Sequence, residues 1–246
     1  MTKVILKSLV GSKAHGLDAP ESDTDIRGIF SLPTSEILSL GYKEKSTDWV
    51  EGEKIDSTSY EIRHFLNLAM HSNPSILEVL RGPIVETTEW GQELKSLFPC
   101  LWTSKNVLDA FRGYSLNQRK KFIEDKERPN KFAVAYLRVL LLGIELLRNG
   151  TMTVNVAEQE ALPCMDGATI RSIPSTIFKA GSWDVPTNAS VLMGVKRGVY
   201  SKGSIIDLAV YLEEILVGAY NANPNHVNDQ DQINAFLLKV RKANWD

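Results

Sequence analysis

The stretch GSKAHGLDAPESDTDIRGIF, residues 11–30, follows one apolar run, leads into a second and decides the fold that we predict. Residues 4–10 form the first run, which predicts a β-strand that ends at the Gly11-Ser12 turn. Residues 26–32 form the second run and predict a second strand. The residues between the runs carry the turn chemistry of a loop, so the pattern is strand, turn, loop and strand.

Beyond this stretch, the pattern changes from strands to helices. Residues 54–60 predict a third strand, and from Ser59 the apolar residues take helical spacing. Asn73-Pro74 interrupts that helix and opens a short second one, with Ser72 or Asn73 as the candidate cap. Four longer amphipathic helices are predicted after Trp102, at residues 105–122, 131–148, 205–220 and 231–242.

These elements predict an α/β (α+β) fold, in which a small mixed sheet with helices on one side precedes a mostly helical part. The predicted division is a domain at residues 1–103 and a helical domain at residues 104–246. Within the second domain, residues 151–203 are rich in Gly, Pro and Ser and are predicted to be irregular, with a hairpin around Arg197-Gly198.

The composition is that of an ordinary globular protein, with 43% apolar and 24% charged residues. The formal net charge of -2 argues against a globally basic nucleic-acid coat, although it permits a local basic patch. No apolar stretch reaches the roughly 20 residues of a membrane span, and Lys3 and Lys7 interrupt any signal-peptide core. Because Cys100 and Cys164 form no paired motif, we predict a reduced, cytoplasmic protein. Because no apolar span is present in the sequence, we predict no membrane partner.

Two aspartates, Asp23 and Asp25, open the second predicted strand. Side chains of a strand alternate between its faces, so both carboxylates are expected on the same face. Such a pair can bridge two hard cations, which take oxygen ligands and stabilise the oxygens of a phosphoryl displacement. A third carboxylate from a neighbouring strand would orient the attacking hydroxyl, and Asp56 is the preferred candidate, with Glu61 in reserve.

Gly11 and Ser12 form a turn with little side-chain bulk, which can bring backbone N–H groups and a hydroxyl close to phosphate oxygens. Gly-Ser, a ten-residue spacer and Asp-x-Asp together resemble the signature of the DNA polymerase beta nucleotidyltransferase superfamily. The longer pattern, GSxAHG followed by PxSDxDxRGIF, resembles the YcgL or RlaP type of bacterial and phage nucleotidyltransferase, linked to RNA repair. The likeness continues through residues 60–80 and covers most of residues 4–150.

The resemblance implies roles for the residues of this pattern. Asp23, Asp25 and Asp56 would be the catalytic carboxylates and would hold two Mg²⁺ ions, with Mn²⁺ as the alternative. Gly11 and Ser12 would contact the triphosphate of a nucleoside triphosphate, ATP among the candidates. RNA is the first expectation for the acceptor, while a protein side chain and a small molecule stay open.

Further residues are predicted to contact the substrate, namely His15, Ser22, Arg27, Lys131 and Arg138. His15 would meet a phosphate or base, or would pack in the turn. Arg27 would meet a phosphate, or would pair with the aspartates. Lys131 and Arg138 lie two helical turns apart and would bind phosphate, or would belong to a solvated face. Glu78 is predicted to anchor the Asn73 turn, and the basic run at residues 119–121 is a candidate contact for an acceptor nucleic acid.

The sequence therefore predicts a metal-dependent nucleotidyltransferase that moves a nucleoside monophosphate onto an acceptor hydroxyl and releases pyrophosphate. The alternative is a catalytically inactive nucleotide-binding or interaction protein with the same fold, and the retained pair of Asp23 and Asp25 argues against it. A phosphohydrolase is the third interpretation. It is disfavoured because the four histidines have no metal-binding spacing.

Overall fold

The computed structural model of the chain describes residues 2–42, 47–51, 55–159 and 187–245, without the side chains of residues 47–51, 55 and 56. Contacts between Cα atoms divide the chain into two compact units. The first unit combines Met1–Thr103 with His226–Asp246, and the second is Ser104–Asn225.

The first unit contains a five-stranded sheet. Its strands are β1 (Lys3–Val10), β2 (Thr24–Ser31), β3 (Thr47–Glu51), β4 (Ile55–Glu61) and β5 (Ile84–Thr87). Their order across the sheet is β3-β4-β2-β1-β5, in which β2 and β4 are parallel and the other neighbours are antiparallel. The predicted fold class, a small mixed sheet followed by a helical region, is confirmed.

Short helices lie between or directly after these strands, namely α1 (Gly11–Ala14), α2 (Thr34–Ile37), α3 (Ile62–Met70), α4 (Pro74–Arg81) and α5 (Glu89–Ser96). Helix α4 begins at the predicted place because Asn73 Oδ1 accepts a hydrogen bond from Ser75 N, and Pro74 occupies a position that requires no N–H donor. Helices α3 and α4 bury apolar side chains such as Phe65 and Leu77, which have no exposed surface. Helix α4 packs on β1, and α3 packs on β2 and β4.

The second unit is helical in the residues that the structure describes. The second unit has α6 (Ser104–Glu124), α7 (Pro129–Asn149), α8 (Asn188–Lys196) and α9 (Lys202–Ala222). Helix α7 contacts each of the other three and ends, as predicted, at Gly150 in the left-handed conformation. Within the described residues, no helix combines the length and the apolar character needed to cross a bilayer.

The predicted hairpin around Arg197-Gly198 is wrong, because helix α8 ends there. Gly198 has a φ of 73° and donates to Val195 O at 3.0 Å, while Val199 N donates to Gly194 O at 2.9 Å. This pair of bonds is a Schellman motif, which terminates a helix. Part of the stretch predicted as irregular is therefore helical, and residues 160–186 of it lie outside the described residues.

The last helix, α10 (Gln230–Ala243), packs within the first unit, whereas the sequence assigned it to the helical part. Asn244, which follows it, donates from Nδ2 to Leu32 O at 2.8 Å and to Ser31 O at 3.2 Å. Its own carbonyl oxygen accepts from Thr34 N at 2.7 Å. These bonds fix the end of the chain to the end of β2, about 210 residues earlier, and local sequence patterns carry no signal for such a contact.

Candidate functional site

The Gly11-Ser12 turn, which directly follows β1 and begins α1, lies against the side chain of Asp25. Gly11 begins this turn with a φ of 70°, in the left-handed region that favours glycine. A Cβ atom added at Gly11 would overlap Asp25 Oδ2 and would lie 2.9 Å from Asp25 Cγ. The ladder between β1 and β2 pairs Val10 with Asp25, which brings the turn to this position. Glycine at position 11 is therefore required both by the backbone and by the carboxylate beside it.

The parallel ladder between β2 and β4 pairs Asp25 with Asp56. Neighbouring strands lie about 4.8 Å apart, so the two backbones are adjacent. The Asp56 side chain lies outside the described residues. Asp23 precedes β2 and is exposed, and Asp25 is half-buried. Among the side chains that the structure describes, no group of three His, Cys, Asp or Glu could hold a metal ion, so the three-carboxylate site stays a prediction.

Glu61, the reserve candidate, lies away from Asp25. The same ladder pairs it with Phe30, and five residues along a strand from Asp56 correspond to about 16 Å. Its Oε2 accepts from Arg63 N at 2.8 Å as the cap of α3, and its Oε1 lies 2.8 Å from Arg241 Nη2 on α10. Glu61 therefore joins the start of α3 to the last helix, and this favours Asp56 as the third carboxylate.

Glu61→Ala is expected to destabilise the first unit by about 3–5 kcal/mol, because it leaves the Arg241 side chain, which is only 12% exposed, without its carboxylate. Loss of the α3 cap adds to this effect. Thermal and urea unfolding measure the change, with Glu36→Ala at an exposed position of α2 as the control. Equal stability of the two variants would contradict the structural role that we assign to Glu61.

Lys13 is a residue that the sequence analysis did not single out. Its Nζ donates to Thr24 Oγ1 at 2.6 Å, and the side chain is half-buried. The bond ties α1 to the start of β2 and brings a positive charge next to the Asp-x-Asp segment. The sequence signal for this contact was a lysine directly after the Gly-Ser turn, because its ammonium group lies close in sequence to the Asp-x-Asp carboxylates.

Helix α4 is attached to the motif by two polar contacts. His15 Nε2, just after α1, lies 3.2 Å from Glu78 Oε2, and both side chains are buried. Arg27 Nη1, on β2, donates to Ser75 O at 2.9 Å. For His15 these contacts favour packing in the turn, and for Arg27 they favour a bridge between β2 and α4. Glu78 contacts His15. Its predicted anchoring of the Asn73 turn stays a prediction.

The remaining predicted contacts lie in three different places. Ser22 closes the loop before β2, because its Oγ accepts from Ala19 N at 2.8 Å. Lys131 is exposed in the first turn of α7, whereas Arg138 on the same helix is 6% exposed. Arg138 therefore does not lie on a solvated face of the helix. Both α7 residues belong to the second unit, and their contact with substrate stays a prediction.

Cys100 does not belong to this set of residues. Its Sγ donates to Gln232 Oε1 at 2.7 Å. Burial raises the pKa of the Cys100 thiol, and the negative charge of Asp229 raises the pKa further. The thiol is therefore kept protonated and serves as a structural donor between the segment before α6 and α10.

Comparison with known proteins gives two matches. Residues 1–169 match the family described as the RlaP, RNA repair pathway DNA polymerase beta family. The chain is also similar to an uncharacterized 38.9 kDa protein in the nrdC-mobD intergenic region of Enterobacteria phage T4, with 30% identity over 150 residues. That alignment covers 57% of this chain and 42% of the phage protein, so this chain spans less than half of that relative's length. The family match includes all the residues of the predicted site.

Proposed function

The chain belongs to the RlaP family, the RNA repair pathway DNA polymerase beta family, and from this membership we propose that it is a metal-dependent nucleotidyltransferase. An acceptor hydroxyl oxygen attacks the α-phosphorus of a nucleoside triphosphate. The bond from that phosphorus to the oxygen bridging to the β-phosphate breaks, and pyrophosphate leaves. We propose an RNA end as the acceptor, in keeping with the family's place in RNA repair.

The observation that carries this proposal is the register of β2 and β4 beneath the Gly11 turn. The ladder puts the backbone of Asp56 beside that of Asp25, and the turn lies against the Asp25 carboxylate. Metal-dependent phosphoryl transfer requires negatively charged ligands that position the cations, next to a place where phosphates can approach the backbone closely. Gly11, which has no side chain and lies against the Asp25 carboxylate, supports that arrangement.

Hard divalent cations suit the residues of this site. Carboxylate oxygens are the ligands that magnesium and manganese prefer, and glycine at position 11 keeps a side chain away from the Asp25 carboxylate. Asp23, Asp25 and Asp56 are the residues that would hold two such ions. Bound ions would neutralise the triphosphate and the charge that develops in the transition state.

The chain's own groups account for the remaining tasks. Backbone N–H groups and the hydroxyl of Gly11-Ser12 would donate to triphosphate oxygens. Asp56 would accept the proton of the acceptor hydroxyl as that hydroxyl attacks. Lys13 holds α1 against β2 through Thr24, so it positions the turn. Through Glu78 and Ser75, His15 and Arg27 hold α4 against the motif, and we propose that they act as positioning residues.

Incubation of the protein with each labelled ribonucleoside triphosphate, magnesium and a pool of RNA tests the proposal. We expect label from the α-phosphate, and no label from the γ-phosphate, to appear in RNA. EDTA should abolish this transfer and weaken triphosphate binding, because the cation screens the carboxylates from the phosphates. Absence of transfer, together with equal triphosphate affinity with and without EDTA in calorimetry, would identify an inactive nucleotide-binding protein instead.

A further inference from the structure

One end of the second unit gathers basic residues from four helices. The end of α6, the start of α7 and the segment from α8 to α9 contribute Arg119, Lys120, Lys121, Lys126, Arg128, Lys131, Lys196, Arg197 and Lys202. The same segments, residues 119–131 and 196–202, contain only Glu124, Asp125 and Glu127 as acids. Nine cations against three anions contrast with the net charge of -2 for the whole chain.

Contacts between the helices show that these segments meet. Lys202, the first residue of α9, places its Nζ 5.6 Å from the centre of the Phe122 ring on α6. Lys121 places its Nζ 5.6 Å from the centre of the Phe132 ring on α7. These cation–π contacts hold the ammonium groups at the junction of three helices and leave them exposed to solvent.

The segment that follows α8 joins the same junction. Asn130 Nδ2, at the start of α7, donates to Lys196 O at 3.4 Å, which brings the end of α8 to the start of α7. Arg197 is the exposed C-cap of α8. Burial raises the pKa of the nearby Tyr200 hydroxyl, so this tyrosine adds no negative charge to the surface.

Lys121, Arg197 and Lys202 differ in their ion pairs from cations elsewhere on the second unit. Within the described residues, no carboxylate lies at ion-pair distance from Lys121, Arg197 or Lys202, whereas Lys105 and Arg112 on α6 have Asp109 and Glu213. Asp125, in the α6–α7 connection, instead accepts from two backbone N–H groups, at 3.0 Å and 2.6 Å. The positive charge is therefore available to an external anion.

We propose that this basic end, defined by Lys121, Lys131, Arg197 and Lys202, binds the phosphodiester backbone of single-stranded RNA. The inference rests on the proposed function, because it takes RNA as the acceptor of the transfer. A nucleic-acid backbone presents closely spaced charges that several cations from separate helices can neutralise together. A membrane surface fits less well, because an interfacial helix needs an exposed apolar face and α8 buries Val191, Leu192 and Val195.

The test uses fluorescence anisotropy of the full chain with a short labelled single-stranded RNA, without nucleotide, over a range of salt concentrations. The variant Lys121→Gln/Arg197→Gln/Lys202→Gln is expected to weaken binding at least about tenfold and to lower the salt slope by about 2, since each single-strand contact contributes about 0.7. Lys105→Gln/Arg112→Gln/Arg148→Gln is the matched control, because it removes three positive charges from other positions of α6 and α7. It should bind RNA like the wild type.

A charge-preserving variant separates charge from folding. Lys121→Arg/Lys202→Arg should bind RNA like the wild type, and a loss as large as that of the glutamine triple would overturn the inference. Equal losses of RNA binding in the two glutamine triple variants would overturn it too. The same holds if the first triple variant loses binding to phosphatidylserine vesicles but keeps its binding to RNA. Because binding is measured without transfer, RNA binding that depends on this surface in a protein without transferase activity would leave the inference standing and defeat the proposed function alone.

Discussion

Asp25→Asn is expected to lower the rate of nucleotidyl transfer by at least about a thousandfold, while the protein stays folded. The Asp25 carboxylate lies against Gly11, near one end of the ladders that β2 makes with β1 and β4. Asparagine has nearly the same shape, so the contact with the turn survives and only the negative charge is lost. Without that charge, the cations that neutralise the triphosphate lose a central ligand.

Stability is expected to change little or to rise slightly, because neighbouring carboxylates repel each other when no cation is bound. Single-turnover transfer and thermal unfolding of the same preparation give the two readouts. Asp18→Asn is the matched control, since Asp18 is an exposed carboxylate in the connection between α1 and β2. Asp23→Asn should behave like Asp25→Asn, and near wild-type transfer by either variant would refute the metal assignment.

Local signals predicted the elements around this site. The apolar runs at residues 4–10 and 26–32 became β1 and β2, and the Asn73-Pro74 pair became the cap and first turn of α4. Gly150 ends α7 as a left-handed residue, as an Asn-Gly pair after a helix predicts. Each of these signals resides in a few consecutive residues, and for that reason the sequence alone was sufficient.

The elements that were missed depend on partners elsewhere in the sheet or have weak local patterns. Strand β5 (Ile84–Thr87) has four residues, three of them exposed, and it exists because β1 offers a ladder about 80 residues away in sequence. Helix α5 buries only Gly91 and Leu94, so its apolar pattern is weak, although Thr88 supplies a cap. Strand β3 was not predicted, and it pairs with β4 across a short connection.

In the candidate site, too, some features follow from local patterns and others depend on distant residues. The Gly-Ser turn and the Asp-x-Asp pair are local patterns, so the sequence located them, but the reason for Gly11 became apparent only from the Asp25 contact. The sequence preferred Asp56 to Glu61, and the support for that preference comes from the register of β2 and β4, which are neighbours in the sheet but not consecutive in the chain. The partner of Glu61 is Arg241, on a helix whose packing the local pattern does not encode.

Asp56→Asn is expected to slow the chemical step by about a hundredfold or more, the scale for loss of a positioned general base. The register places Asp56 opposite Asp25, while Glu61 occupies the position opposite Phe30 and already serves α3 and Arg241. Triphosphate affinity should change little, because Asp23 and Asp25 would still hold the nucleotide with its cation. The effect should therefore appear in the single-turnover rate at saturating nucleotide.

Two comparison variants make this result specific. Ser57→Ala changes the next residue of β4, so it controls for disturbance of the strand. Glu61→Gln keeps a side-chain acceptor for Arg63 N but removes the charge that faces Arg241, so it should lower thermal stability and leave the single-turnover rate of the folded protein close to the wild type. A hundredfold slower chemical step in Glu61→Gln, with a normal rate in Asp56→Asn, would transfer the third carboxylate to Glu61. It would also require a different pairing of β2 and β4, because in the present register about 16 Å separates the Glu61 position from that of Asp56.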